Sequence, residues 1–400
     1  MEQHAPYLEQ ARRRLRAPAS ERPEEYLNGS LLGQRGAVDE LATPALVLDL
    51  ERFERNLKHM QDHCTAAAIG LRPHAKTHKC PVIAHRQLAA GAVGICCAKL
   101  GEAETMLAAG IGRILLTSPV VTAAAITRLL AAAAAADELL VVVDNPSNIA
   151  QLNEAALAAG QVQDVLLDLD PGLHRTGIEP GPDALSLAQQ IDRSSNLKLR
   201  GLQMYAGHLQ HVHSFAERDE RSSKVMAVLA EFRRTMAAAG LPCEILSGGG
   251  TGTFDIDPRA RVLNELQAGS YLFMDRQYNV LEPRSGTQLP FFTALFVQTR
   301  IVSCNRAGLA TTDAGLKAFA TDDEAPPIHE GGPQGSQYFF FGDEQGGLRW
   351  QHDAPVRLGE PVRAVTPHCD PTVNLYDDLH VIRGDELVDI WPIDARGRGA

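Results

Sequence analysis

Over residues 43–271, apolar residues come in short runs separated by longer stretches of mixed character. Residues 43–50 (TPALVLDL) read as a strand, followed by an amphipathic helix in ERFERNLKHMQDHC. Eight further strands are expected at 70–76, 94–98, 113–118, 139–144, 164–170, 199–206, 244–250 and 264–271. Ala- and Leu-rich helical segments such as GEAETMLAAG and NIAQLNEAALAAG separate most of them. Eight β units with intervening helices predict a (β/α)8 TIM barrel, an α/β fold, with an open doubly wound sheet as the alternative. After about residue 285 the pattern changes. FFTALFVQTRIVS, RAGLATTDA, SQYFFFG, PVRAVTPH, LHVIRG and ELVDIWPI are strand-like runs divided by Gly, Pro and Asp, which predicts a C-terminal all-β domain. The expected division is an N-terminal arm at 1–42, a barrel at 43–284 and a β domain at 285–400.

Composition narrows the function classes. The 400 residues are 44% apolar and 22% charged, ordinary for a folded globular chain. A net charge of −11 argues against nucleic acid and against an anionic membrane surface as partners. The polar N-terminus lacks a signal-type apolar core, and no apolar run reaches membrane-spanning length. Seven scattered cysteines do not form a disulfide or zinc pattern, so reduced thiols and a cytoplasmic location are expected.

A barrel carries its chemistry where its strands end. The first expected barrel strand ends in RPHAKTHK (72–79). The loop after the seventh, Ser247-Gly248-Gly249-Gly250-Thr251-Gly252, combines glycines with hydroxyls at a place where barrels often hold phosphate; a tight turn without ligand is the alternative. A phosphate anchor facing a lysine suggests pyridoxal phosphate, which needs an amine. The chain has only seven lysines, and position in the fold favours Lys76, with Lys79 and Lys99 as rivals. Crowding by Arg72, His74, His78 and Lys79 is expected to lower the Lys76 pKa. In the β domain, an extended Pro367–Thr372 segment would turn His368 and Asp370 to one side, a partial site for a divalent ion. A thiolate at Cys369 would instead favour zinc, and a plain polar loop is the further alternative.

RPHxKTHK, the DxGxxRxG-like segment from Asp170 to Gly177, SGGGTG (247–252) and PHCDPT (367–372) occur in this order. Together they resemble the fold-type III pyridoxal phosphate enzymes of the D-threonine aldolase and D-serine dehydratase group, which are similar to the barrel domain of alanine racemase. The resemblance extends over residues 43–392. It implies that Lys76 carries the cofactor, that Arg175 approaches its phenolic oxygen, and that Ser247 to Gly252 cradle its phosphate, with Gly269 and Tyr271 at the next strand end. It implies His368 and Asp370 as ligands of Mn²⁺ or Mg²⁺, with Zn²⁺ also compatible. The dehydratase branch usually has His-x-Cys at that motif, so Asp370 favours aldolases. The expected reaction cleaves a D-β-hydroxy-α-amino acid to glycine and an aldehyde; a 3-hydroxy-D-aspartate aldolase and a metal-dependent D-serine or hydroxyaspartate dehydratase are the alternatives. His208 is the expected general base, with His74 and His211 as rivals, and Tyr205 is expected against the cofactor ring. The resemblance also implies a homodimer in which the β domain of one subunit closes the barrel mouth of the other.

Overall fold

A computed structural model describes residues 6–352 and 354–399. The first strand, β1 (Ala45–Asp49), precedes the barrel strands β2 (Gly70–Leu71), β3 (Ile95–Cys97), β4 (Arg113–Leu116), β5 (Glu138–Val143), β6 (Gln163–Asp168), β7 (Leu197–Met204), β8 (Ile245–Gly248) and β9 (Glu265–Leu266). These eight pair side by side in the order β2-β9-β8-β7-β6-β5-β4-β3, all in parallel. The ring closes between its ends: Val93 N donates to Leu71 O and Cys96 N to Pro73 O, both at 2.8 Å, and His74 bridges Cys96. The expected TIM barrel is therefore observed. Its first and last strands are shorter than the sequence suggests. Pro73 interrupts one, and beyond them the chain turns through short 3₁₀ segments at Ala75–Thr77 and Ser270–Leu272.

The barrel interior is layered. Cys96, Leu115, Leu140, Val142, Leu166 and Ile245 form an apolar middle, while Ile114, Leu116, Val141, Val143, Val165 and Leu167 on the alternate positions join the main core outside. Below the middle layer, Arg72 is buried and donates to Glu265 through two bonds of 2.8 Å and to Glu138 at 3.3 Å. A Cβ at position 94 would lie 2.3 Å from the Arg72 guanidinium, so Gly94 leaves the space that this ion pair occupies.

The second sheet contains β10 (Leu295–Arg306), β11 (Leu309–Thr312), β12 (Ile328–Glu330), β13 (Gln337–Phe340), β14 (Gly346–Arg349), β15 (Pro361–Val365), β16 (Asp378–Arg383) and β17 (Glu386–Pro392). Its main path runs β13-β14-β11-β10-β1-β16-β17, and β15 joins β10 to β12. The strand at 45–49 thus belongs to this sheet. An expected barrel boundary at residue 43 would give it to the barrel; its pairing, antiparallel to β10 and parallel to β16, gives it to the β domain. Both of its faces are covered: Leu46 and Leu48 join the main core, while Ala45 and Val47 pack with Ala19, Tyr26, Val38 and Leu41 of the N-terminal arm. The arm is pinned to the same sheet, with Ala19 N donating to Ile390 O at 2.9 Å and Gly33 N to Leu387 O at 2.9 Å. Among the described residues, no helix is long and apolar enough to cross a membrane.

Replacing Arg72 by Ala would leave Glu265 buried without its partner. Stability measured by urea unfolding should fall by about 3–5 kcal/mol. The double change Arg72→Met with Glu265→Met should recover much of that loss.

Candidate active site at the barrel mouth

The mouth is built on a polar top layer of the barrel. Gln203 donates to Asp168 at 2.9 Å, and Gln267 donates to Gln203 at 3.1 Å and to Ser247 Oγ at 3.0 Å. All four residues are buried. Burial pushes the Asp168 carboxyl up to about 6, against the opposing bond from Gln203.

Lys76 lies just past the first barrel strand, in the 3₁₀ turn Ala75–Thr77. Its Nζ is ion-paired with the Asp370 carboxylate, and its side chain is 39% accessible. The two rival lysines point elsewhere: Lys79 is ion-paired with buried Glu102, and Lys99 is the N-cap of the helix Leu100–Ala108. The expected lowering of the Lys76 pKa is not observed. Burial pulls it down, but the charge and hydrogen bond of Asp370 together with Tyr205 raise it more, and the net shift is upward. The neighbours meant to crowd it do not act as cations there. Arg72 lies in the barrel floor, Lys79 is neutralised by Glu102, and burial lowers His74 well below its usual value and His78 to about 4.

The segment carrying Asp370 also differs from expectation. It is not extended: Cys369–Val373 is a short helix with His368 as its N-cap. Asp275, fully buried, accepts from Cys369 N at 2.8 Å and from Tyr278 N at 3.0 Å, which ties this helix to the end of the barrel. Asp370 nevertheless lies near enough to His368 to be affected by it. Burial raises the Asp370 carboxyl, the Lys76 and His368 charges lower it more, and the net shift is downward. Cys369 is buried and its thiol is pushed well up, first by burial, so it is not a ready thiolate. The His368 Nδ1 is 2.7 Å from Asp322 Oδ2. Lys76 and Asp370 meet within one chain, so no second subunit is required to join the barrel lysine to the β-domain carboxylate. Among the described residues there is no group of three or more His, Cys, Asp or Glu side chains that could hold a metal.

Two loops flank the lysine. Asp170 organises the first by accepting from the backbone N–H of Gly172, Leu173 and His174 at 2.9, 2.9 and 3.0 Å, with His174 Nδ1 at 2.7 Å. This turn presents Arg175, whose guanidinium lies 5.6 Å from the centre of the Tyr205 ring. Tyr205 is in turn close enough to Lys76 to act on its charge. In the second loop, Gly249 has φ of +67°, and a Cβ there would sit 2.6 Å from Asp257. A Cβ on Gly250 would meet Gln210 Oε1 at 2.5 Å, and one on Gly248 would meet Met204 O at 2.3 Å. Thr251 Oγ1 accepts from Tyr271 N at 3.0 Å. Gly269 faces the same mouth, since its Cβ would lie 2.5 Å from Thr77 Oγ1. The Tyr271 ring does not: it is buried in the core, with its hydroxyl accepting from Gln87 at 3.3 Å. Only the backbone of Tyr271 adjoins the loop.

The histidines separate as well. His208 is surrounded by Arg221, Asp170 and His174, and burial followed by Arg221 lowers its pKa. His211 is the one that senses His368, Lys76 and Asp370. The residue is exposed, yet the groups packed around its ring, Tyr278 among them with ring centres 4.7 Å apart, desolvate the imidazole, and its pKa drops to about 4. Sequence reasoning kept His211 as a rival and missed Asp257, Asp275, Tyr278 and Asp322. Only the acidic run Asp322-Asp323-Glu324 was visible as a pattern, and a charge run is ordinarily a solvated loop.

Asp257 backs the glycine loop, accepting from Thr253 Oγ1 at 2.5 Å and from Ser222 Oγ. Burial pushes its carboxyl up to about 6. The folded chain therefore holds this proton between pH 4 and 6 while the unfolded chain has lost it, and stability falls as pH rises through that window. Asp257→Asn removes this dependence. Its stability relative to wild type should improve by up to about 2–3 kcal/mol between pH 4 and pH 7, measured by unfolding at each pH.

Comparison with known proteins agrees with this geometry. Residues 48–277 match the family model of the alanine racemase N-terminal domain, and residues 294–382 match a putative serine dehydratase domain. The chain is 41% identical to a D-threonine aldolase of an Arthrobacter species over 356 residues, 89% of this chain and 93% of that protein. It is 34% identical to a 3-hydroxy-D-aspartate aldolase of Paracoccus denitrificans (strain Pd 1222), covering 90% of this chain and 93% of that one. The crystal structure of D-threonine aldolase from Filomicrobium marinum superposes with a TM-score of 0.84 at 41% identity, over 90% of this chain and 96% of that chain. The matches cover both the barrel and the second sheet, and the chain belongs to the pyridoxal phosphate-dependent, alanine racemase-like lyases that join this barrel to a serine dehydratase-like domain.

Proposed function

We propose that the chain is an aldolase that cleaves D-threonine-like β-hydroxy-α-amino acids to glycine and an aldehyde, using pyridoxal phosphate and a divalent metal. The observation that carries this reading is the Lys76–Asp370 contact, which joins the barrel amine and the β-domain carboxylate in one mouth. The residues suit the cofactor. Lys76 offers the amine, the Ser247–Gly252 loop offers hydroxyls and close backbone approach for a phosphate, and Arg175 with Tyr205 offers a cation and a ring face. They also suit a metal of open coordination. His368 has Nδ1 held by Asp322 and so presents Nε2, and Asp370 supplies a carboxylate oxygen.

When bound, pyridoxal phosphate supplies an electron sink for the charge left on Cα as the Cα–Cβ bond breaks. The chain's own residues do the rest. His211, neutral at pH 7 because its pKa lies near 4, is the proposed acceptor of the β-hydroxyl proton, in place of His208. His368 and Asp370 would hold Mn²⁺ or Mg²⁺ where that hydroxyl sits, lowering the cost of removing its proton. Arg276 is already engaged by Asp323, at 2.8 and 2.9 Å, and by Glu324. With Asp322 also beside His368, the β-side of the mouth is acidic. This favours an uncharged substituent over the second carboxylate of 3-hydroxy-D-aspartate. We further propose a homodimer, since Leu375, just past the Asp370 helix, is 44% exposed and suited to cover by a partner.

Purified protein should show a visible cofactor absorption band that Lys76→Ala abolishes; borohydride labelling of Lys79 or Lys99 instead would refute the assignment. Assayed side by side, D-threonine and D-phenylserine should give glycine and aldehyde faster than 3-hydroxy-D-aspartate. Keto acid and ammonia from D-serine as the main products would make it a dehydratase. Chelation should remove cleavage, and Mn²⁺ or Mg²⁺ should restore it. His211→Ala should lower kcat by about 10²–10⁴-fold, and His208→Ala by far less. Light scattering should report a dimer.

A further inference from the structure

We propose that Asp322 is a positioning residue for His368, holding its imidazole with Nε2 directed to a divalent cation. This rests on the reading of His368 and Asp370 as the metal pair. The Asp322 carboxylate lies 2.7 Å from His368 Nδ1. A neutral imidazole that donates from Nδ1 keeps its lone pair on Nε2, so the contact selects the metal-binding tautomer and fixes the ring about its two rotatable bonds. The carboxylate also makes the imidazole a stronger donor.

The placement of Asp322 is built into the fold. The next two residues, Asp323 and Glu324, are both gripped by Arg276, Asp323 through two bonds of 2.8 and 2.9 Å. Arg276 N donates to Thr366 O at 3.1 Å, two residues before His368. Its neighbour Asp275 accepts from Cys369 N at 2.8 Å, one residue after His368. Thr372 Oγ1 donates to the His368 carbonyl at 2.7 Å and fixes the backbone from the other side. The pair Asp275-Arg276 therefore clamps both the loop that carries Asp322 and the segment that carries His368. The side chain of Asp322 is half exposed, at 51%, so its removal disturbs no core packing.

The test is Mn²⁺ titration of the pyridoxal phosphate-loaded full-length protein by calorimetry. Asp322→Ala should raise the Kd for Mn²⁺ by about 10- to 100-fold while the cofactor absorption spectrum and Tm stay as in wild type. The Mn²⁺ concentration for half-maximal D-threonine cleavage should rise in step, and the rate at saturating Mn²⁺ should fall much less. Asp322→Asn keeps an oxygen acceptor for Nδ1–H and should recover part of the affinity. A Kd within twofold of wild type for Asp322→Ala overturns the proposal. His368→Ala separates the two levels: if it loses Mn²⁺ while Asp322→Ala does not, only the role of Asp322 is refuted. If His368→Ala binds Mn²⁺ like wild type, the metal reading fails and the role of Asp322 with it.

Discussion

An ammonium and a carboxylate can share a crowded mouth only if each is held against the other. Lys76 and Asp370 lie 294 residues apart in sequence, so the fold must carry that pairing. The element that does so is β1. It precedes the barrel in the chain but lies between β10 and β16 in the second sheet. The helix that follows it, Leu50–Ala66, runs straight on to β2, so one continuous segment joins the two bodies at their seam. Its buried Asn56 crosses that seam, donating to Leu272 O at 3.0 Å and to Phe292 O at 2.7 Å and accepting from Phe292 N at 2.7 Å. With the sheet fixed in this way, the short helix Cys369–Val373 comes to rest against Ala75–Thr77, and the carboxylate meets the amine.

Within the barrel, polarity is graded along the axis. The floor holds a buried ion pair, the middle is apolar, and the top is an amide–carboxyl–hydroxyl chain from Asp168 to Ser247. Within that top layer each amide bridges two partners, which links the four side chains into one chain. The result is a buried polar platform at the mouth end of the barrel, separated from the charged floor by packed side chains. Preorganisation of this kind lets a mouth bind a flat polar group without first ordering its own walls.

The eight barrel strands were legible because strands buried on both faces give near-continuous apolar runs such as LLVVVD and DVLLDLD. For the same reason 43–50 was recognised as a strand but not assigned to its sheet: burial on both faces says nothing about which sheet provides the neighbours. Strands β12 and β14 were missed because they are short, and β14 opens with two glycines. At the site, lysine scarcity and the strand-end position singled out Lys76, and the glycine loop was visible as a run. The electrostatics were not. Counting basic residues near Lys76 in sequence predicts repulsion, but Arg72 is in the opposite end of the barrel and His74 and His78 are neutral. Alternation placed His368 and Asp370 on one side, yet it is a helix N-terminus that brings them near each other. The histidines near 208–213 are separated only by how the turn at Gly207–Leu209 directs each ring, which no linear pattern encodes.

These electrostatics bear on what the mouth can hold. Three imidazoles stand near Lys76, and burial keeps His74, His78 and His211 uncharged at neutral pH. Were they protonated, the mouth would carry a large positive charge that Asp370 alone could not offset. Kept neutral, they leave the Asp370 carboxylate facing the Lys76 ammonium, with His368 and Arg175 alongside. Asp370 can compensate only one cation at close range. In the chain by itself that cation is Lys76; in the proposed loaded site, where the amine is covalently engaged, the carboxylate is left to a metal. On that proposal the same side chain would stabilise the mouth before loading and supply a ligand afterwards, and a neutral histidine at this position would offer the Lys76 ammonium no opposite charge.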